Sequence, residues 1–278
     1  MFKIIADSCC DSKNEKGLFL DVKKVPLYLL LGEKQYLDDE NLDVKDFVDT
    51  IDTSVLTPKT QCPSPEAYMK LFDGPEDEIF VVTLTSKLSG SYNSALLAAN
   101  LYLEDHPEKK IHIFDSMSAS SGELVIVNQI KNLIEEGHNF NTIVQKVEYL
   151  IRNENKLYAV LENLDTLIKN GRLTKIQAIV TSLARIKLVL TAKEGEIALH
   201  AKAMTTGQDT SRIIKEFLES GIDFSNKTLF ISHCDAKELA ETFKRKVMIK
   251  CNFKNIEIFE TSGLSSVYAN KGGIIISY

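Results

Sequence analysis

The segment that is most informative about the fold reads Ile79-Phe80-Val81-Val82-Thr83-Leu84-Thr85-Ser86-Lys87-Leu88-Ser89-Gly90-Ser91-Tyr92. Its first part is an almost unbroken apolar run, which is typical of a strand buried on both faces of a parallel sheet. The chain from 92 to 103 is rich in Ala and Leu and predicts a long helix. A buried strand that passes through a short polar loop into a helix is half of a βαβ unit, so this segment predicts an α/β fold.

The same alternation of strand and helix continues on both sides of this segment. Asp43 can cap one helix, and Pro65 after Ser64 suits the first turn of another. The predicted strands cover residues 4–6, 25–31, 79–84 and 111–114, and further helices are predicted at 44–51, 65–72, 122–136 and 142–152. This order predicts a mainly parallel sheet flanked by helices.

The second half of the chain has a different pattern. Two apolar segments, 186–191 and 197–202, flank the turn residues Lys193-Glu194-Gly195-Glu196 and predict a hairpin. Further strands are predicted at 157–161, 228–232, 256–259 and 274–276, helices at 210–219 and 237–249, and two helical stretches on either side of Asn170-Gly171-Arg172. A hairpin among helices predicts an α+β unit with a mixed sheet. We therefore predict two domains, 1–155 and 156–278.

Composition is that of a folded globular protein. Of 278 residues, 44% are hydrophobic and 26% charged, and the net charge of -6 argues against nucleic acid as a main partner. The apolar opening of the chain stops at Asp7, too short for a signal peptide or a membrane span, so we expect a cytoplasmic protein without stable membrane insertion. The five cysteines, two of them adjacent at Cys9 and Cys10, suit neither a disulfide framework nor a metal knuckle.

Small polar residues follow three of the predicted parallel strands. The first strand leads into Asp7-Ser8, the third into Thr85-Ser86 and the fourth into Asp115-Ser116. The carboxyl ends of parallel strands share one edge, and ligands of such sheets bind there. This edge is therefore the expected binding site.

The loop from Thr85 to Tyr92 is the richest of the three in hydroxyl groups. It places Ser89 or a neighbour at a helix N-terminus, where free N–H groups and the helix dipole favour an anion. Gly90 allows close backbone approach, and a serine hydroxyl can donate to a carboxylate. The alternative is that these serines only cap the helix.

Catalytic motifs are absent from the sequence. It has no G-x-S-x-G elbow, phosphate-binding loop or dinucleotide turn, and no His or Cys pair with metal spacing. His233, after the strand that ends at Ser232, is the best candidate for a general base, but we interpret it as an ordinary, partly exposed histidine. We expect no cofactor and no metal.

The ordered motifs of the chain resemble those of the DegV family. The matching segments are Ala6-Asp7-Ser8-Cys9-Cys10-Asp11, Val25-Pro26-Leu27 with Tyr36-Leu37-Asp38, Pro58 to Pro65, Thr85 to Tyr92, Asp115-Ser116 with Gly122, Leu164 to Leu167 with Asn170 to Leu173, and Ile186-Lys187. They keep the family's order over nearly the whole chain.

The resemblance implies two α/β domains with a long-chain fatty acid buried between them. It implies that Thr60 and Ser89 hold the carboxylate, with Gly90, Ser8 and Gln61 in the lipid-binding set. Some family members deliver the acid to a fatty acid kinase for phospholipid synthesis. The resemblance places Arg172 at the pocket mouth, available to such a partner.

Three segments depart from the family's pattern. The family's H-x-G-P-G turn has no histidine here, where Ala269 stands at about that position, and its K-x-R becomes Lys202-Ala203-Met204. In Thr60-Gln61-Cys62 the family's serine and glutamine are replaced. The resemblance therefore implies head-group binding more directly than transfer to a kinase.

Two alternatives to a non-catalytic fatty acid carrier stay open at the level of sequence. One is a small serine hydrolase or transferase that uses Ser89, and the other is a binder of another amphiphile or small anion. An unassisted serine hydroxyl is a weak nucleophile, which favours the carrier.

Overall fold

A computed structural model describes residues 1–14, 17–18, 21–174, 187–203 and 207–278. Within those residues the first half of the chain is built on a parallel four-stranded sheet and the second half on a mixed six-stranded sheet. Both agree with the predicted α/β and α+β architectures. No helix in this part of the chain combines the length and apolar character that crossing a membrane requires.

The first sheet has the strand order β4-β1-β8-β9, and all its neighbours are parallel. Its strands are β1 (Phe2–Asp7), β4 (Lys23–Val25), β8 (Glu78–Thr83) and β9 (Lys110–Asp115). Ile79 to Thr83 are all buried, because helices cover both faces of β8. The ends of β1, β8 and β9 therefore share one edge, as the sequence predicts.

The second sheet has the order β12-β11-β10-β15-β13-β14. Its strands are β10 (Leu157–Leu161), β11 (Lys187–Lys193), β12 (Glu196–Ala203), β13 (Thr228–His233), β14 (Asn255–Glu260) and β15 (Ile274–Ser277). Neighbours are antiparallel except β13 with β14. The predicted hairpin is confirmed: β11 pairs with β12 across Glu194 and Gly195, which both have the positive φ that tight hairpin turns require.

The prediction of one strand over 25–31 is wrong. Pro26 has no N–H to donate to a neighbouring strand, and the chain changes sheet at this point. After β4 it enters a small antiparallel sheet of order β6-β5-β7, formed by β5 (Tyr28–Leu31), β6 (Lys34–Leu37) and β7 (Lys59–Gln61). A further pair, β2 (Lys13–Asn14) with β3 (Gly17–Leu18), is antiparallel.

Helices occupy the predicted places with small shifts at their ends. They are α1 (Val44–Thr53), α2 (Pro65–Phe72), α3 (Ser91–Asp105), α4 (Ser121–Glu135), α5 (Phe140–Asn153), α6 (Asp165–Lys169), α7 (Gln208–Glu219), α8 (Lys237–Lys250) and α9 (Gly263–Ala269). Asp43 caps α1 by accepting from the Asp46 N–H, whereas the Ser64 side chain makes no capping hydrogen bond to α2. The second helical stretch predicted beside Arg172 lies outside the described residues, and α9 was not predicted.

Helix α4 lies between the two sheets and joins their cores. Its residues 121–127 are all buried, and it contacts β1 and β8 on one side and β13 and β15 on the other. One apolar cluster contains Phe80 of the first sheet and Phe230 of the second. The division into domains at residue 155 stays a prediction, because this core is continuous across it.

Candidate functional site

A cavity of about 350 Å³ lies between the carboxyl edge of the first sheet and the face of the second. The loops after β1, β8 and β9 all contribute to its wall, through Cys9, Thr85 and Ser118. Its volume is within the range of small-molecule sites. The edge expected from the sequence to bind a ligand therefore borders a cavity.

The part of the wall formed by the second sheet is apolar. Strands β10, β11, β12 and β15 contribute the side chains of Leu157, Ala159, Leu161, Leu190, Ile197 and Ile275. Among the described residues that line the cavity, Arg172 and Glu196 alone carry a charge. Such a wall suits a hydrocarbon, because burial of apolar surface provides the affinity.

Thr60 lies in the middle of β7 and is half-buried. Its position is set by antiparallel pairing with Leu29 of β5. Thr60 Oγ1 lies 2.9 Å from the Tyr268 hydroxyl of α9, and both side chains line the cavity. Gln61 also borders the cavity, but it is exposed because alternate strand residues point to opposite faces.

The loop that carries Ser89 is held by hydrogen bonds from within and from β9. The Leu88 and Ser89 N–H groups donate to Thr85 O at 3.1 and 3.2 Å, and the Ser86 N–H donates to Asp115 Oδ1 at 3.0 Å. The Ser91 N–H donates to Ser89 Oγ at 3.2 Å. Ser89 thus helps to satisfy the first turn of α3, as the capping interpretation predicts, while its hydroxyl proton stays available to a ligand.

Gly90 is the N-cap residue of α3 and has ordinary helical backbone angles. A Cβ at this position would lie 2.9 Å from Cys62 Sγ. Glycine therefore lets this loop approach the chain that follows β7 closely without displacing the Cys62 thiol.

Ser8 is not part of the cavity wall, which corrects the expectation from sequence. It is 1% exposed, and its Oγ accepts a hydrogen bond from the Leu27 N–H at 3.1 Å. This bond replaces the strand pairing that Pro26 interrupts. Ser8 therefore joins the end of β1 to the turn between β4 and β5.

Arg172 is part of the cavity wall, and its expected place at the pocket mouth stays a prediction. Its Nε donates to Leu88 O at 3.3 Å, and its guanidinium also donates to Asn170 O. Asn170 in turn donates to Pro58 O at 2.9 Å. Arg172 therefore links the Ser89 loop to the segment after α6, and its role in partner binding stays a prediction.

His233 is buried rather than partly exposed, so that interpretation was wrong. It is 6% exposed, its Nδ1 has no partner among the described residues, and burial lowers its pKa. It ends β13 and does not line the cavity. No histidine is found in the described part of the cavity wall, so Ser89 has no imidazole base beside it there.

A buried carboxyl pair lies behind this wall. The Leu84 and Cys9 N–H groups donate to Asp7 at 2.9 and 3.1 Å, whereas neither oxygen of fully buried Glu123 has a partner among the described residues. One oxygen of each carboxyl group and Cys9 Sγ lie within 4.8 Å of one another. Two buried carboxylates so close cannot both be ionised at low cost, so the pair holds a proton, which we place on Glu123.

Tyr268 is the residue of this site that sequence reasoning missed. It lies on α9, whose first turn is anchored by Asp38, which accepts from the Gly263 and Leu264 N–H groups at 2.8 and 2.9 Å. Asp11 accepts from the Ser262 N–H at 2.8 Å. The only signal in the sequence was a tyrosine next to the position of the family's missing histidine.

Comparisons with known proteins give a consistent result over the full length. The family whose profile matches residues 1–278 is described as an uncharacterised protein, DegV family. A DegV domain-containing protein of Streptococcus gordonii is 36% identical over 280 residues, which cover 100% of this chain and 98% of that protein.

Two solved structures are similar in fold and in sequence. A DegV family protein from Ruminococcus gnavus, refined with vaccenic acid, has a TM-score of 0.93 and 38% identity, with 100% of this chain and 99% of that chain covered. The fatty acid kinase (Fak) B3 protein of Streptococcus pneumoniae, loaded with linoleic acid, has a TM-score of 0.89 and 34% identity, with 100% and 98% covered. With a family match over every residue and relatives above 30% identity, the chain belongs to the DegV family.

Proposed function

We propose that this protein binds a long-chain fatty acid, with its carboxylate at Thr60 and Ser89 and its tail along the apolar wall of the second sheet. The observation that carries the proposal is one cavity that combines two half-buried hydroxyl side chains with that apolar wall. Relatives of 34 and 38% identity were crystallised with linoleic and vaccenic acid. The similarity extends over the whole chain.

The energetics of such a site are favourable without a cation. Each buried CH₂ contributes about 0.8 kcal/mol, so about ten of them contribute roughly 8 kcal/mol before the cost of association. Hydrogen bonds from hydroxyl groups to a carboxylate are charge-assisted and set the direction of the head group. The tail therefore supplies affinity, and Thr60 and Ser89 supply orientation.

The same geometry favours a carrier over a catalyst. A serine nucleophile needs a base within hydrogen-bond reach, and the described wall offers no histidine for that role. The Streptococcus pneumoniae relative of 34% identity is described as loaded with linoleic acid. We therefore propose that the protein holds its ligand without transforming it.

We further propose that the protein presents the acid to a fatty acid kinase. The support is the likeness to the Fak B3 protein and the presence of Arg172 in the cavity wall. Arg172→Ala should lower the rate at which a bacterial fatty acid kinase phosphorylates the bound acid more than it lowers affinity. Loss of the hydrogen bond from Arg172 to Leu88 O should lower the affinity for the acid only a few-fold. Arg245→Ala, which changes an exposed arginine on α8, is the control, and equal losses of affinity and rate would assign Arg172 a structural role only.

Binding itself is tested in two steps. Mass spectrometry of organic extracts should find a long-chain acid in the purified protein. Calorimetry should then show that delipidated protein binds oleate more tightly than methyl oleate, because esterification removes the charged acceptor. Absence of any acid from the extract, together with no heat of binding for oleate, would refute the proposal.

A further inference from the structure

The Tyr268 hydroxyl is a further hydroxyl group of the cavity wall and lies beside Thr60, one of the two residues proposed to hold the carboxylate. It lies 2.9 Å from Thr60 Oγ1, and its half-buried side chain lines the cavity together with Thr60 and Ser89. Thr60 and Tyr268 are 208 residues apart in the sequence. A long-range hydrogen bond between two cavity residues raises the question of what it does for a ligand.

The number of hydroxyl protons in this pair limits how many hydrogen bonds it can donate to a carboxylate. Each hydroxyl has one proton, and a carboxylate can only accept. One proton is used within the Thr60–Tyr268 bond, so the pair can offer only one to the ligand. A phenol is the stronger donor and the weaker acceptor of the two hydroxyl types, so the favoured arrangement has Tyr268 donate to Thr60.

We propose that Tyr268 is a positioning residue of the head-group site, which donates to Thr60 Oγ1 and so directs the Thr60 proton to the ligand carboxylate. The inference rests on the proposed binding of a fatty acid. Hydrogen bonds in a chain polarise one another, so the Thr60 donor is also strengthened. Tyr268 thus acts through Thr60.

The tyrosine is held firmly enough for this role. Asp38 anchors the start of α9, and the Tyr268 ring packs against two apolar clusters, each of which contains residues from both halves of the chain. A Cβ on Gly263 would lie 2.6 Å from Leu29 Cδ1, so α9 lies directly against the strand that pairs with Thr60. The separation between the two hydroxyls is therefore set by packed elements.

The competing interpretation is a latch, in which the bond only ties α9 to β7. If the bond only ties α9 to β7, it contributes equally to the affinity for every ligand. A positioning residue contributes to affinity only when the ligand has a carboxylate. The test therefore compares oleate with methyl oleate, using Tyr268→Phe, which keeps the ring and removes the hydroxyl. Thr60→Val and the double variant complete a cycle.

Calorimetry on delipidated full-length protein should show that Tyr268→Phe weakens oleate binding about 3- to 12-fold and methyl oleate binding less than about 2-fold. In the Thr60→Val background the tyrosine substitution should leave oleate affinity almost unchanged, because Tyr268 acts through the Thr60 hydroxyl, which valine lacks. Tyr36→Phe is the matched control, since Tyr36 is also half-buried and packs in one of the clusters that Tyr268 contacts.

Three results would overturn the inference while the proposed function stands: no loss of oleate affinity in Tyr268→Phe, equal losses for acid and ester, or a loss that persists unchanged with Thr60→Val. Wild-type protein that binds neither ligand would instead refute the proposed function and this inference with it.

Discussion

In the proposed site, Ser89 has a structural role and a ligand-binding role that both use one hydroxyl group. Its oxygen accepts from the Ser91 N–H, which leaves its proton for a carboxylate. Ser89→Ala should remove one charge-assisted hydrogen bond and cost about 1.5–3 kcal/mol, a loss of roughly 10- to 150-fold in affinity by calorimetry. Thr60→Ala should behave alike, and the double variant should lose less than the sum because both groups hold one head group.

A nucleophilic Ser89 would give the opposite pattern. Ser89→Ala would then bind a long-chain acid normally and lose the turnover of a test ester by several orders of magnitude. An esterase assay run beside calorimetry therefore separates the two roles, and turnover that disappears in Ser89→Ala would overturn the carrier proposal.

Asp7 and Glu123 form a titrating pair with no direct part in the cavity wall. Burial raises the pKa of Asp7 from 3.8 to about 6 and that of Glu123 well above 4.5, and the Asp7 charge raises the pKa of Glu123 further. The other ionisable groups that face the pair are those of Cys9, Cys10, Asp11, Lys24 and Tyr68. The folded protein thus holds protons that the unfolded chain releases.

The raised pKa values of Asp7 and Glu123 predict that the folded protein loses stability as pH rises. Folded pKa values above the unfolded ones mean that the folded state binds more protons, so the contribution is complete below about pH 4 and is lost through pH 6 and above. Each such proton changes the free energy of unfolding by up to about 1.4 kcal/mol per pH unit. Glu123→Gln, whose amide can donate to Asp7, should gain stability relative to wild type between pH 5 and pH 8 in denaturant unfolding.

The control for this measurement is Glu104→Gln, which changes an exposed carboxyl group on α3. Stability curves for Glu123→Gln and wild type that stay parallel between pH 5 and pH 8 would show that Glu123 is ionised in the folded protein.

At the scale of elements, the segment after β7 contacts the start of α3. This contact places Thr60 and Ser89, the two residues proposed to bind the carboxylate, in the wall of one cavity. A Cβ at position 90 would lie 2.9 Å from Cys62 Sγ, so Gly90→Ala forces these segments apart or displaces the thiol. We expect Gly90→Ala to lower the free energy of unfolding by about 1 kcal/mol and to weaken oleate binding. Urea unfolding and calorimetry measure the two effects.

Cys62→Ala provides the rescue that makes this prediction specific. It removes the colliding atom, so Gly90→Ala with Cys62→Ala should regain most of the lost stability and affinity. Additive losses in the double variant would mean that the contact with Cys62 does not explain the need for glycine.

At the scale of the whole molecule, α4 and the cluster around Phe80 and Phe230 connect both sheets in one core. We therefore expect a single cooperative unfolding transition, with the same midpoint by circular dichroism and by fluorescence of the tyrosines. A fatty acid at 100 times its Kd should add about 2.7 kcal/mol to the free energy of unfolding and raise Tm. Two separate transitions, with only one shifted by the acid, would show that residues 1–155 and 156–278 unfold independently.

The sequence by itself determined the layers of this protein and the sheet edge that borders its cavity. Strand β8 and helix α3 are evident because burial on both faces and helical periodicity are local patterns, which a window of residues records. The polar residues at the ends of β1, β8 and β9 follow from the same local signal. The segment 25–31 was apolar enough to predict one strand, but Pro26 divides it between two sheets, and the short strands β2, β3, β6 and β7 were not predicted.

Only the tertiary structure decided which polar residues meet. Ser8 was expected in the site and is not part of the cavity wall, whereas Tyr268 was not expected and lines the cavity, 2.9 Å from Thr60. The place of Ser8 depends on its contact with the turn after β4, and the place of Tyr268 depends on packing between segments far apart in the chain, since Asp38 holds α9 across more than 200 residues. Periodicity shows which face of an element is buried, but not which distant element covers that face, because the pairing depends on the fit of whole surfaces.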